Sequence, residues 1–440
     1  MRCCTLNLDY YTRKYGIAII VALAVVAFIL PLIIRASQGA PITPGTQSYQ
    51  YLEYTEQGRV FFEPYVLLLL FVSLFGVPWL LPFLLMMLFL ALLYYYLDDI
   101  VQSKIVLTFA FLFLLVSPTI SVLATSHSSL LLSFVFVLCV FLSIEKYSVF
   151  AAIMLLLTIV SSPIVGILLA LWIIVLSVRQ HHFSMVVVAS LFCILGIVWV
   201  VSSGAILFSF QQTQWFFELG NIEGVSIFLM ILAAYGLIAK FSKRPLIMFG
   251  SCIMFGAIFF INELAFAATI VVAIFAAYGM YDLLTNRWEL ELLQRSLHML
   301  VICICLFLLI VTIKERVVQS PTEDFSHMMI TLRNQQREGA VLSAPEYAPS
   351  IRYFSHRDAV LAPNADESIL SKAFYSRNPS VVYGFLSSTN TVYILVTDEM
   401  RDLYFTRSDE GILFLLENSG RFVKIAETQT TELWYFIRTT

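Results

Sequence analysis

Uncharged apolar runs of membrane-spanning length recur along the first three quarters of this chain, and few folds can accept them. A bilayer core takes roughly 20 apolar residues per helix. In lipid every backbone N–H and C=O must be satisfied within the segment itself. The first run is Gly16 to Ile34, behind Arg2, Arg13 and Lys14. It is too long for a signal-peptide core and reads as an uncleaved anchor. Further runs cover 65–97, 105–125, 130–144, 147–160, 164–178, 183–203, 223–239, 245–260, 264–282 and 297–313. The expectation is an α-helical polytopic membrane protein with about 11 transmembrane helices. Hydrophobic residues make up 60% of the 440 and charged residues 12%, against roughly 45–50% and 25% in soluble chains. The lipid bilayer is therefore the first partner. No basic patch with interleaved aromatics accompanies the net charge of -3, so nucleic acid is set aside.

Two runs are interrupted by proline. The run at 65–97 breaks at Pro78 and Pro82, giving a short interfacial or re-entrant piece over 65–76 and a span over 79–97. The 147–178 region is two halves around Ser161, Ser162 and Pro163. Lys and Arg set the orientation. With the N-terminus inside, the inner loops carry Lys104, Lys146, Arg179, Lys240, Lys243, Arg244, Arg287 and Arg295, while the outer loops carry only Arg35 and Arg59. This places the N-terminus in the cytoplasm and the tail from Lys314 onward outside it. The expected division is a membrane domain over 1–314, with an outer loop at 35–64, and a soluble domain over 315–440. Beyond 315 there is no cysteine, so no disulfide framework supports the tail.

The outer loop opens with turn residues, Pro41, Pro44 and Gly45, and continues as a short amphipathic helix over Ser48 to Gln57. Tyr51, Leu52 and Thr55 share one face; Glu53, Glu56 and Gln57 share another. With Glu63, these acids sit among tyrosines. Carboxylates at an interface can serve as a general base or a metal ligand; the plainer alternative is a solvated helix face. A divalent metal, Mg or Mn, is the cofactor such carboxylates could take. Other outward turns carry His127, Glu218 and Glu223, and Asn262 with Glu263. A carboxylate at membrane depth, such as Glu263, is a functional candidate by default, although an acid at a helix N-terminus is favoured by the dipole alone.

The tail alternates short strands with helices and reads as a small α/β domain. A helix begins at Ser320-Pro321-Thr322-Glu323 and runs to about Arg337. Short strands follow at 340–343 and 359–361, with a helix over 347–354 between them. Helices are expected at about 366–376, 379–387 and 410–417. Thr391 to Val396 is a buried β-branched strand, and a terminal hairpin pairs 422–426 with 432–437.

This order of parts, with the local sequences Gly45-Thr46-Gln47-Ser48-Tyr49-Gln50-Tyr51-Leu52, Phe62-Glu63-Pro64, Glu218-Leu219-Gly220, Trp288-Glu289-Leu290 and Phe422-Val423-Lys424-Ile425, resembles the GT-C glycosyltransferases. Among these it resembles especially archaeal proteins similar to the oligosaccharyltransferase catalytic subunit. The resemblance implies a donor sugar carried on polyprenyl phosphate and an outward-facing site. The family's first-loop Asp falls at Gln47, its His at Tyr51 and its Arg at Glu53. Ala344-Pro345-Glu346-Tyr347-Ala348 stands where the family has Trp-Trp-Asp-Tyr-Gly and keeps only an acid and the Tyr. A glutamine cannot take a proton, so the resemblance implies the fold more directly than the chemistry.

Two readings stay open. In the first, the chain is a lipid-linked-sugar glycosyltransferase. Glu53 or Glu56 is then the base. Arg35, Arg59 or Arg352 pairs the phosphate, and Gln47, Glu263 and Glu346 line the substrate site. In the second, the chain is an inactive relative that binds glycan or lipid, or braces a membrane-protein complex. A transporter fits the broken helices, but no inverted repeats and almost no mid-membrane charge support it.

Overall fold

The computed structural model describes residues 2–46, 48–57, 63–101, 103–179, 183–203, 226–241, 250, 264–285, 291–362, 367–405, 407 and 410–438. The chain divides into two compact units, Met1–Leu32 with Phe61–Val317, and Ile33–Val60 with Val318–Thr440. The first long loop thus falls in the same unit as the tail.

The first unit is helical. Helix α1 covers Arg2–Ser37 and continues into the second unit. The loop helix α2 (Ser48–Glu56) belongs to the second unit. Helices α3 (Pro64–Ser73), α4 (Leu81–Ile100), α5 (Lys104–Val116), α6 (Pro118–Thr125), α7 (Ser129–Ser143) and α8 (Ser148–Ser161) follow in the first. Then come α9 (Pro163–Arg179), α10 (Phe183–Ser203), α11 (Ile227–Phe241), α12 (Leu264–Thr285) and α13 (Glu291–Val318). Among the described residues three helices are long and apolar enough to cross a membrane, and a fourth span results if α5 and α6 are taken together. Shorter apolar helical stretches among the described residues are Pro64–Ser73, Ser129–Ser143, Ser148–Ser161, Pro163–Val178, Met185–Val201 and Ile227–Lys240. The expected span over 245–260 lies outside the described residues.

Three helix breaks sit at X-Pro steps, because proline disfavours the helical region for the residue before it. Val77 (φ -127°, ψ 48°) precedes Pro78, and Ser162 (φ -150°, ψ 98°) precedes Pro163. These are the two interruptions legible in the sequence. A third was not: the run at 105–125 is no straight span. Ser117 is extended (φ -71°, ψ 128°) before Pro118, and α5 and α6 meet at 66°.

Helices α11 and α12 pack backbone to backbone. A Cβ at Gly236 would lie 2.0 Å from the Phe275 carbonyl oxygen and 2.4 Å from the Gly279 nitrogen, and one at Gly279 would lie 2.4 Å from the Leu232 carbonyl oxygen. Small residues permit this approach between membrane helices, where dispersion and polar contacts replace the hydrophobic effect.

The second unit carries a four-stranded sheet in the order β1-β2-β4-β3: β1 (Ala340–Leu342), β2 (Thr391–Thr397), β3 (Phe422–Glu427) and β4 (Thr431–Phe436). Strand β2 runs parallel to β1 (Leu342 opposite Ile394) and antiparallel to β4 (Leu395 opposite Leu433). Val341 also bridges to Ala359, the second short strand expected from the sequence. All seven residues of β2 are buried, as expected of a strand covered on both faces. Its helices are α14 (Glu323–Arg333), α15 (Ala348–Ser355), α16 (Glu367–Leu370), α17 (Pro379–Ser388), α18 (Asp398–Tyr404) and α19 (Gly411–Asn418). The sequence places α14 about one turn too long; Asn334 closes it. Helix α18 was not anticipated. The core of this unit includes Phe325, Met329, Leu332, Ile351, Phe374 and Met400.

Candidate functional site

Ligands in open α/β sheets bind outside the carboxyl ends of the parallel strands. Strand β2 runs three residues past Ile394, the partner of the last β1 residue, and each strand passes into a short helical turn. After β1, Pro345–Tyr347 forms a 3-10 turn leading into α15. After β2, the Thr397 hydroxyl caps α18 by accepting from the Met400 N–H at 3.1 Å. The two turns exchange tyrosines and glutamates. The Tyr347 hydroxyl donates to the Glu399 carboxylate, and Ser320 Oγ donates to Glu399 Oε1 at 2.8 Å. In return, the Tyr404 hydroxyl donates to Glu346 Oε1 at 2.6 Å. Burial, reinforced by the Glu399 charge, pushes the Tyr347 phenol up. For Tyr404, burial and its bond to Glu346 do the same. Both phenols are donors, and both glutamates keep acceptor capacity facing solvent.

The loop helix builds the second part. Helix α2 packs on α15 through Tyr49, whose ring centroid lies 5.2 Å from Tyr353 and 4.8 Å from Phe354. Glu53 is 8% exposed. Its Oε2 lies 3.4 Å from Arg352 Nε, and its Oε1 accepts from Gln57 Nε2 at 2.9 Å. Glu56, one turn on, is exposed and accepts from the Tyr353 hydroxyl. Burial first, then the Glu56 carboxylate, pushes the Tyr353 phenol up. The structure therefore brings together Glu53, Glu56 and Arg352, and it sets Glu346 on the turn that leads into the same helix as Arg352.

Arg35 is placed otherwise. It is fully buried, with Nε donating to the Pro41 carbonyl at 2.9 Å, Nη1 to the Gln319 carbonyl and Nη2 to the Pro321 carbonyl at 2.7 Å. A guanidinium whose nitrogens all serve backbone carbonyls is a fastening between the loop and the start of the tail, not an open phosphate ligand. Gln47, Arg59 and Glu263 lie outside the described residues. Among the described residues no three His, Cys, Asp or Glu side chains converge as metal ligands.

Sequence reading did not single out Glu399, Tyr404, Tyr353 or Ser320. The signal for Glu399 was the Thr397-Asp398-Glu399 junction after the most buried strand, a helix N-cap. Helix α18 has only 7 residues, too few for apolar periodicity to reveal.

Comparison with solved structures adds the frame. ArnT from Cupriavidus metallidurans bound to undecaprenyl phosphate matches with a TM-score of 0.56 and 13% identity, over 95% of this chain and 97% of that one. The archaeal oligosaccharyltransferase AglB from Archaeoglobus fulgidus, in complex with an inhibitory peptide and a dolichol-phosphate, matches with a TM-score of 0.59 and 13% identity, over 89% of this chain and 70% of that one. Its apo form gives the same TM-score over 88% of this chain. The chain has the GT-C fold. Neither a family model nor a curated protein sequence matches it. GT-C proteins of this kind are polytopic, and with its apolar helices the chain is an integral membrane protein.

Proposed function

We propose that this GT-C protein transfers a sugar from a polyprenyl-phosphate-linked donor to an acceptor at the outer face of the membrane. The observation that carries the reading is the match to an undecaprenyl-phosphate-bound GT-C protein over nearly the full length of both chains. The lipid phosphate is already a leaving group, so the protein must orient the acceptor and take its proton. The acceptor's nucleophilic atom bonds to the sugar C1, the C1–O bond breaks, and the lipid phosphate leaves with the electron pair. Glu56 takes the acceptor proton. It is the exposed carboxylate on α2, whereas Glu53 is enclosed and committed to Arg352. Glu53 is thus a positioning residue that holds the Arg352 side chain. Arg352 and Arg59 are the candidate partners of the phosphate.

Purified protein in lipid nanodiscs, given radiolabelled polyprenyl-phosphate sugar and a membrane extract as acceptor, should release labelled product. Glu56→Gln should slow this by about 10²–10⁴-fold, the usual contribution of a general base. Transfer at the wild-type rate by the Glu53→Gln, Glu56→Gln double variant would eliminate this assignment.

A specific observation also favours the second reading. Gln47 occupies the position of the family's Asp, and Glu53, six residues on in sequence, is already paired with Arg352. A chain of this kind binds a lipid-linked glycan without turning it over, within a membrane complex. Saturable donor binding with no product from any donor tested would select it.

The outward orientation rests on the Lys and Arg asymmetry of the loops. Ser388 is exposed at the end of α17. In intact cells Ser388→Cys should react with a membrane-impermeant maleimide. Labelling only after lysis would reverse the topology.

A further inference from the structure

At the amino ends of β1 and β2, opposite the carboxylate–tyrosine pairs, lies a polar groove of about 850 Å³. That volume falls within the roughly 300–1,000 Å³ of small-molecule sites. One wall is the turn between α14 and β1, the other is the segment after α15, and Thr389 and Asn390 close the end. The first wall is braced. Arg357 donates to the carbonyls of Leu332 at 3.1 Å, Gln335 at 2.7 Å and Arg337 at 2.6 Å, and its guanidinium lies 4.9 Å over the Tyr393 ring. Tyr393 in turn donates to the Arg337 carbonyl at 2.9 Å.

Against this rigid frame, the side chains of Gln335, Gln336, Glu338, His356, Asp358 and Asn390 line the groove and, among the described residues, form no hydrogen bond or ion pair. At the other end of the strands, by contrast, Glu346 and Glu399 each hold a tyrosine. His356 and Asn390 are also the two non-glycine residues with positive φ among the described residues, both at 54°. Left-handed backbone is uncommon outside glycine, and here it occurs on two sides of one groove.

The chemistry of the lining selects a ligand class. Arg333 and Arg357 balance Glu338 and Asp358, so the groove as a whole favours neither anion nor cation. Amides, carboxylates and an imidazole offer planar donors and acceptors in several directions. We propose that this groove binds a neutral polyhydroxylated ligand, a short saccharide, through Gln335, Gln336, Glu338, His356, Asp358 and Asn390. Its chemistry is independent of whether the protein transfers sugar, and so is its test.

The full chain in lipid nanodiscs, free of glycoside detergents, is titrated by calorimetry with mannotriose, cellotriose and triacetylchitotriose. At least one should bind saturably. Gln336→Ala and Asp358→Ala should each weaken that binding at least tenfold. Lys424→Gln, on the far strand β3, should leave it unchanged, and equal melting midpoints will show that all three variants fold. The proposal is overturned if none of the three saccharides saturates the protein, if the groove variants bind as the wild type does, or if inorganic phosphate displaces the saccharide.

Discussion

Gly236→Val should leave little folded protein to purify. Its Cβ would stand 2.0 Å from the Phe275 carbonyl oxygen and 2.4 Å from a backbone nitrogen of α12. These are backbone atoms, and no rotamer change moves them aside. Overpacking a well-filled interior costs about 1–3 kcal/mol where side chains can shift, and here α11 and α12 must separate along their whole seam. Gly279→Val meets the Leu232 carbonyl oxygen at 2.4 Å and should behave alike. Size-exclusion profiles in detergent should show aggregate for both, while Gly384→Ala, whose Cβ meets nothing within 4 Å, elutes as the wild type. A monodisperse Gly236→Val protein with an unchanged melting midpoint would show that the two helices do not touch.

Arg35→Ala tests whether this residue fastens or binds. The substitution deletes the donors to the carbonyls of Pro41, Gln319 and Pro321. Hydrogen bonds from a charged donor contribute about 1.5–3 kcal/mol each, and a buried acceptor left unpaired costs about 1–3 kcal/mol. Even with relaxation, a loss of about 3–5 kcal/mol is expected, comparable to breaking a buried ion pair. The loop at 38–46 should become sensitive to protease, and Arg35→Lys should recover only part of the loss, since an ammonium cannot reach three carbonyls set for a planar fork. If the sequence expectation of a phosphate partner were right instead, Arg35→Ala would keep its protease resistance and lose affinity for polyprenyl phosphate.

These two cases show what could be read in advance. Proline made the breaks at Pro78 and Pro163 visible because each interrupts an apolar run beside small or polar residues. The bend at Pro118 carried a similar signal, a proline between Ser117 and Thr119, but the 105–125 run is the length of one span and reads as one. The β2 strand and the β3–β4 hairpin were legible from β-branched and alternating residues. Glu53, Glu56 and Arg352 could be named as candidates, but their meeting could not, because 299 positions separate Glu53 from Arg352. The contacts of Arg35 were hidden for a related reason. A cation beside a membrane helix looks the same in sequence whether it faces a ligand or three carbonyls that arrive much later in the chain.

That separation bears on how the protein is made. The second unit is assembled from 33–60 and 318–440, so its first piece leaves the ribosome about 258 residues before its second begins. At a synthesis rate of roughly 5–20 residues per second, Tyr49 and Leu52 wait on the order of 13–52 s with their apolar faces uncovered. Domains ordinarily mature from the amino end as they emerge, but this one cannot. Its loop helix is an early-made part held open for a late-made seat.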